Sequence, residues 1–173
     1  MNEMPQKLLF RIRLVLLFFM LVLVLSGVTA FPLCWELKLL VAWFGEGTWW
    51  GTHIPGLADW LALVKEGLDH NAAHYPFIAC GTDWLAFAHI MIAVAFLGPL
   101  RDPVKNSWVV HWGMLCCLGI LPLSLIGGPI RGVPFGWQMI DCSFGIFGIL
   151  PLIAVHYWTK QLERTQHETQ SHA

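Results

Sequence analysis

Apolar residues in this chain fall into four long runs, separated by short polar turns and one long connection. The runs cover residues 14–31, 84–100, 108–126 and 135–158. A helix of roughly 20 apolar residues crosses a bilayer, and a lone apolar segment can satisfy its backbone in lipid only as a helix. The pattern therefore predicts an all-α fold, a four-transmembrane-helix bundle that forms a single integral membrane domain over residues 1–173.

The connection over residues 32–80 is patterned and predicts helices outside the membrane. Leu33 to Phe44 is an apolar segment too short to span, and we expect it to lie in the membrane interface. Gly45 to Gly56 is rich in Gly, Trp and Thr and is expected to be a loop. Leu57 to His74 has apolar residues at helical spacing, which predicts an amphipathic helix between spans 1 and 2.

The ends of the chain raise two further questions. Val28 and Ala30 would suit a signal-peptide cleavage site, but the first apolar run is longer than the roughly 7–15 residues of a signal core. We therefore expect a retained span. The last segment, Thr159 to Ala173, is polar and is expected to be frayed.

Composition supports lipid as the main partner. Hydrophobic residues make up 57% of the chain and charged residues 12%, whereas a soluble domain carries about 25% charged residues. The formal net charge is −1, so bulk charge gives no reason to expect a nucleic-acid partner.

The basic residues predict an orientation. With the N-terminus in the cytoplasm, three of the ten lie outside, Lys38, Lys65 and Arg131. The other seven lie inside, namely Lys7, Arg11, Arg13, Arg101, Lys105, Lys160 and Arg164. Cytoplasmic loops carry the excess of Lys and Arg. We therefore expect a multi-pass protein of a bacterial inner membrane, with both termini cytoplasmic and the 32–80 connection external.

His89 and Asp141 are ionisable residues inside predicted spans, where charge is costly and marks function. They lie about 7.5 and 9 Å below the external starts of spans 2 and 4 at helical rise. Asp83 and Arg131 lie at the outer rim above them. The pair indicates a quinone-binding or proton-handling site, or alternatively a buried ion pair that fixes helix register.

His111 and His156 form a second pair at matching depth, near the cytoplasmic ends of spans 3 and 4. Two histidines on facing helices are able to ligate a haem b. The alternative is a pair of interfacial histidines that reach for water.

His70 and His74 are four residues apart, so they share one helix face and are metal-ligand candidates. Asn71 stands where a zincin has its glutamate, which excludes the protease reading. Asp69 or His53 would have to supply a third ligand. The alternative is a solvated polar face.

Five cysteines are scattered without CxxC spacing, which argues against a zinc ribbon or thioredoxin-type site. Cys34 and Cys80 both lie near the predicted outer surface, where a disulfide between them is permitted. Cys116 and Cys117 are expected to be ordinary buried thiols.

Three segments carry a resemblance to known sequences: SGVTAFPL at Ser26–Leu33, GTDWLAFAHI at Gly81–Ile90 and GPIRGVPF at Gly128–Phe135, followed by Ile140-Asp141-Cys142. Together they resemble a group of small bacterial four-span membrane proteins of uncharacterised activity. The resemblance implies a bacterial origin and a four-span fold. It implies no activity and no functional residue.

Three functional hypotheses follow from these patterns. The first is an accessory or structural subunit of a larger membrane complex, such as a redox or energy-converting one, because four spans with short cytoplasmic loops leave no soluble catalytic domain. It is not itself an enzyme. The second is a small redox protein that binds quinone or haem b. The third is a small-solute or proton carrier.

Overall fold

A computed structural model describes residues 3–171 of the chain, and all its regular elements are helical within that range. Nine α-helices follow one another along these residues. They are α1 (Glu3–Ala30), α2 (Leu33–Phe44), α3 (Trp49–His53), α4 (Pro55–His74), α5 (Ala79–Ala95), α6 (Leu97–Arg101), α7 (Ser107–Pro122), α8 (Gly128–Ile130) and α9 (Phe135–Ser171). A 3₁₀ turn, Pro76–Ile78, precedes α5, and a π-helical turn, Leu123–Gly127, follows α7.

Four stretches of the described residues are long and apolar enough to cross a membrane. They are Met4–Ala30, Pro76–Arg101, Ser107–Ile130 and Phe135–Glu168. This confirms the predicted all-helical fold with four membrane-spanning helices. Each stretch is longer than its predicted span, because the helical segments continue beyond the apolar runs.

Two local predictions were wrong. The polar tail does not fray directly after Trp158, since α9 continues to Ser171; the last two residues of the predicted tail lie outside the described residues. Thr159 and Leu162 are buried, so packing supports the first turns of this segment. The segment Gly45–Gly56 is not all loop either, because it contains α3. The Thr48 hydroxyl accepts a bond from the Gly51 amide at 3.0 Å and caps that helix.

The described residues form two compact units, of which the first comprises residues up to Val22 and from Ile92 onward. Its core is made by one stripe of α1, by α7 and by α9, with Ile12, Leu16 and Leu152 fully buried. The ring of Phe19 lies 4.9 Å from the ring of Phe96. The unit is therefore a helical bundle whose core is apolar.

Glycines allow α7 and α9 to approach closely within this unit. A Cβ atom at Gly145 would lie 2.6 Å from the Cys117 carbonyl oxygen. A Cβ atom at Gly113 would lie 3.0 Å from the Leu152 side chain of α9 and 2.6 Å from the ring of Phe96. At Gly145 the added atom would meet backbone, so only glycine fits there, as small residues do at close membrane helix contacts.

The basic turn between α6 and α7 is fixed by hydrogen bonds within the first unit. The Asp102 carboxylate accepts a bond from the Lys105 amide at 3.0 Å. The Asn106 side chain donates to the Gly98 and Asp102 carbonyl oxygens at 3.2 and 3.0 Å. The Arg13 Nε atom donates to the Leu100 carbonyl oxygen at 3.2 Å.

The second unit comprises Leu23 to Met91 and is built around the contact of α2 with α4. Leu37 of α2 and Ala58 and Leu61 of α4 are buried. The predicted amphipathic helix is confirmed, because Asp59 on α4 is exposed while Leu61 is 2% exposed. The end of α1 meets α5 in the same unit, where a Cβ atom at Gly27 would lie 2.8 Å from the Ala86 carbonyl oxygen.

Candidate functional site

A cavity of about 370 Å³ opens in the second unit where the first span ends and the second begins. Small-molecule pockets typically measure about 300–1,000 Å³. Its wall is mostly apolar and aromatic, and α2, α4 and the start of α5 all contribute to it. It is lined by Phe31, Pro32, Leu33, Cys34, Trp35, Lys38, Leu68, Asn71, Ala72, Tyr75, Pro76, Ile78, Ala79, Thr82 and Asp83.

The cavity carries one cation and one anion, Lys38 and Asp83. Both are exposed, and neither forms an ion pair within 4.0 Å among the described residues, although the Lys38 ammonium also attracts the Asp69 carboxylate. The polar side chains of Asn71, Thr82 and Tyr75 also line the cavity and make no hydrogen bond to other described residues. An apolar wall with a few unpaired polar groups is the composition of a ligand site.

His111 and His156 lie in direct contact within the first unit. The His111 Nε2 atom lies 2.9 Å from the His156 Nδ1 atom, and the ring centroids are 4.6 Å apart. His111 is exposed and His156 is half-buried. The structure therefore brings this predicted pair together as a hydrogen bond between α7 and α9, in which one ring donates and the other accepts.

The geometry of this pair does not fit a haem held between the two rings. Imidazole nitrogens lie about 2 Å from a bound metal, so an iron between two opposed rings needs about 4 Å between the nitrogens. The observed separation of 2.9 Å is too short. The haem hypothesis therefore gains no support from the contact.

His89 and Asp141 lie in different compact units, His89 in the second and Asp141 in the first. The His89 Nδ1 atom donates to the Leu85 carbonyl oxygen at 2.9 Å, which leaves Nε2 free to accept. Asp141 is half-buried and makes no hydrogen bond to other described residues. Their pairing stays a prediction. Of the two rim residues, Asp83 lines the cavity and Arg131 is exposed in the turn after α8.

His70 and His74 are both exposed, and their rings stack at 4.3 Å. The His74 Nδ1 atom donates to the His70 carbonyl oxygen at 3.0 Å. Within residues 3–171, no group of three or more His, Cys, Asp or Glu side chains is placed to hold a metal. The metal hypothesis for this pair therefore lacks its third ligand.

The two residues expected to complete that metal site are engaged elsewhere. The Lys65 ammonium bonds the Asp69 carboxylate, and this bond lowers the pKa of Asp69. The ring of His53 stacks on Trp49 at 4.3 Å, and its Nδ1 atom donates to the Trp49 carbonyl oxygen at 2.7 Å.

The five cysteines are all free thiols. Cys34 and Cys80 are exposed and do not form the disulfide that their positions permit. Cys117 is buried as expected, but its neighbour Cys116 is exposed because successive helical positions face different sides.

Two polar sites escaped the sequence reasoning. The cavity groups Lys38, Asn71 and Thr82 belong to three separate helices, and only the fold brings them together. Gln138 is 5% exposed, and its amide donates to the Val133 carbonyl oxygen at 2.7 Å, which fixes the turn before α9. The sequence signal that could have revealed Gln138 was an amide side chain in the first turn of an apolar run.

Comparison with models of protein families, with curated proteins and with solved structures finds no match to the chain. The resemblance to small bacterial four-span proteins therefore depends on its three segments alone. Function has to be argued from the geometry of the chain itself.

Proposed function

We propose that this integral membrane protein is an accessory or structural subunit of a larger membrane complex and is not itself an enzyme. One observation carries the proposal. Helix α2 exposes Trp35, Leu39 and Trp43 at successive helical turns, and these side chains are 62%, 42% and 67% exposed. We call these three residues the α2 aromatic face. Large exposed aromatic patches mark sites of protein association.

The α2 aromatic face requires a cover other than water. Helix α2 is apolar on its inner side as well, where Leu37 is buried, and Glu36 and Lys38 are its charged residues. A helix of 12 residues is too short to cross a bilayer and is expected in the interface, where lipid or another membrane protein can cover this face. The proposal assigns the cover to another membrane protein, because aromatic side chains at successive turns make one continuous anchor for an interface.

Further aromatic residues follow α2 along the chain, and their rings contact one another. The Trp49 ring packs edge-on against Trp50 at 4.7 Å, and the Phe44 ring lies 6.0 Å from Trp50. Trp49 is 63% exposed. Rigid aromatic side chains lose little conformational entropy on binding, which suits them as anchors in an interface.

The proposed setting is the inner membrane of a bacterium, with both termini in the cytoplasm and the 32–80 connection outside. The seven-to-three distribution of basic residues supports this orientation. The α2 aromatic face then meets its partner on the external side of the membrane.

Purification of the tagged full chain in mild detergent tests the proposal. We expect a partner protein to co-purify with the wild-type chain in fixed stoichiometry. We expect this partner to be lost from the Trp43→Ser variant. Trp84→Ser is the matched control, because Trp84 is equally exposed at 67% but lies at the start of the second span. The proposal fails if both variants retain the same partner, or if the wild-type chain co-purifies with none. The α2 aromatic face would then be covered by lipid.

A second function, proton transfer, is favoured by one specific contact. Hydrogen-bonded imidazoles pass a proton from ring to ring, and His111 and His156 are so bonded. Proton uptake into proteoliposomes that is lost in His156→Phe and kept in His167→Phe would support this function. Equal uptake by both variants and by empty vesicles would exclude it.

A further inference from the structure

The cavity in the second unit lies at the boundary of the apolar layer. Phe31 and Pro32 follow directly on the first membrane-crossing stretch, and Ile78 to Asp83 begin the second. Lipid head groups occupy this level of a bilayer. An amphiphile is therefore the class of molecule that can occupy this cavity. Its acyl chains would lie in the lipid, and its polar end would contact the protein.

The charges of the cavity select among amphiphiles. Lys38 presents an ammonium and Asp83 a carboxylate, and both lack an ion-pair partner among the described residues. A neutral amphiphile satisfies neither group, and an anionic one satisfies Lys38 but meets repulsion from Asp83. A head group with both a phosphate and an ammonium satisfies the two together.

The remaining polar groups suit the same head group. Asn71, Thr82 and Tyr75 each offer a hydrogen-bond donor that no other described residue uses. Phosphate oxygens are strong acceptors for such donors, and bonds to a charged acceptor are stronger than neutral ones. Trp35 and Leu68 add apolar wall next to them.

We propose that this cavity binds the head group of a zwitterionic phospholipid, with the phosphate at Lys38 and the ammonium at Asp83. The site shares Trp35 with the α2 aromatic face but does not include Trp43, on which the test of the accessory-subunit function depends. Loss of one property therefore leaves the other measurable.

Native mass spectrometry of the purified full chain tests the site, with phosphatidylethanolamine and phosphatidylglycerol of identical acyl chains as probes. We expect one phosphatidylethanolamine to be retained per chain and to bind at least about tenfold tighter than phosphatidylglycerol. Lys38→Ala and Asp83→Asn should each weaken phosphatidylethanolamine about tenfold or more, since a charge-assisted bond contributes about 1.5–3 kcal/mol. Far-ultraviolet circular dichroism should report unchanged helicity in both variants.

The matched controls each remove one charge, a lysine or an aspartate, outside the cavity. Lys105→Ala and Asp59→Asn alter exposed charges that do not line it, and both variants should bind phosphatidylethanolamine as the wild type does. Asp83→Asn should in addition improve phosphatidylglycerol binding, because it removes the repulsion. The proposal is overturned if the cavity variants bind like their controls, if phosphatidylglycerol binds equally well, or if a quinone displaces the phospholipid.

Discussion

The His111 Nε2 atom lies 2.9 Å from the His156 Nδ1 atom, so a single hydrogen bond between two imidazoles joins α7 to α9. One ring has to supply the proton and the other the lone pair. The contact therefore exists only while at least one of the two rings is neutral. Lys160, one turn further along α9, adds a positive charge on the same helix.

His156→Leu should lower the free energy of unfolding by about 1 kcal/mol at pH 8, because it removes this hydrogen bond. Denaturant unfolding in detergent at pH 8 measures the difference from the wild type. His167→Leu, on the exposed part of α9, is the control and should be neutral. Equal stability of His156→Leu and the wild type would contradict a stabilising hydrogen bond between the two rings.

Gly145→Ala should destabilise the first unit by about 1–3 kcal/mol, because overpacked side chains force helices apart. Its new Cβ atom would lie 2.6 Å from the Cys117 carbonyl oxygen. Gly119→Ala is the matched control on α7, since no atom lies within 4 Å of its new Cβ atom. It should be neutral or stabilising by up to about 1 kcal/mol through helix propensity. Thermal unfolding of both variants in one detergent separates the two outcomes, and the same shift in both would refute the close approach of α7 and α9.

Thr159→Val should raise the free energy of unfolding by about 1 kcal/mol, because a buried hydroxyl without a partner is costly. The Thr159 Oγ1 atom is buried and makes no hydrogen bond to other described residues. Ser124→Ala should lower the free energy of unfolding, since the Ser124 hydroxyl donates to the Gln138 carbonyl oxygen at 3.0 Å. The midpoint of thermal unfolding should therefore rise for Thr159→Val and fall for Ser124→Ala. A lower midpoint for Thr159→Val would mean that its hydroxyl is satisfied.

The proposed orientation predicts where single cysteines can be labelled in intact cells. After replacement of the exposed cysteines Cys34, Cys80 and Cys116 by alanine, Asp59→Cys should react with a membrane-impermeant maleimide. Lys105→Cys should react only after the cells are permeabilised. Both positions are exposed, so access to reagent decides the result. Labelling of Lys105→Cys in intact cells would reverse the orientation.

The sequence predicted most of the helices because the residues next to each boundary determine where the helix begins or ends. Helix α2 has the predicted limits Leu33 and Phe44, since Pro32 and Gly45 interrupt the apolar pattern on both sides. Helix α3 was missed because its start depends on a bond from the Gly51 amide to the Thr48 side chain. The helical tail was missed because burial of Leu162 depends on packing between segments distant in sequence.

The candidate sites were predicted less well, for the same physical reason. Equal depth along two helices was enough to anticipate the meeting of His111 and His156. Depth does not specify which way a side chain points, so it could not distinguish a haem site from a direct hydrogen bond. The cavity depends on Lys38, Asn71 and Asp83 converging from α2, α4 and α5, and no local pattern contains that information.

Site-specific photo-cross-linking in native membranes tests the accessory-subunit function most directly. A photoreactive phenylalanine derivative replaces Trp43 in one variant and Trp84 in the other, since both side chains are 67% exposed. The account predicts that position 43 cross-links to one protein of defined mass, the same protein that co-purifies in fixed stoichiometry, and that position 84 does not. Cross-links from position 43 to lipid alone would contradict it.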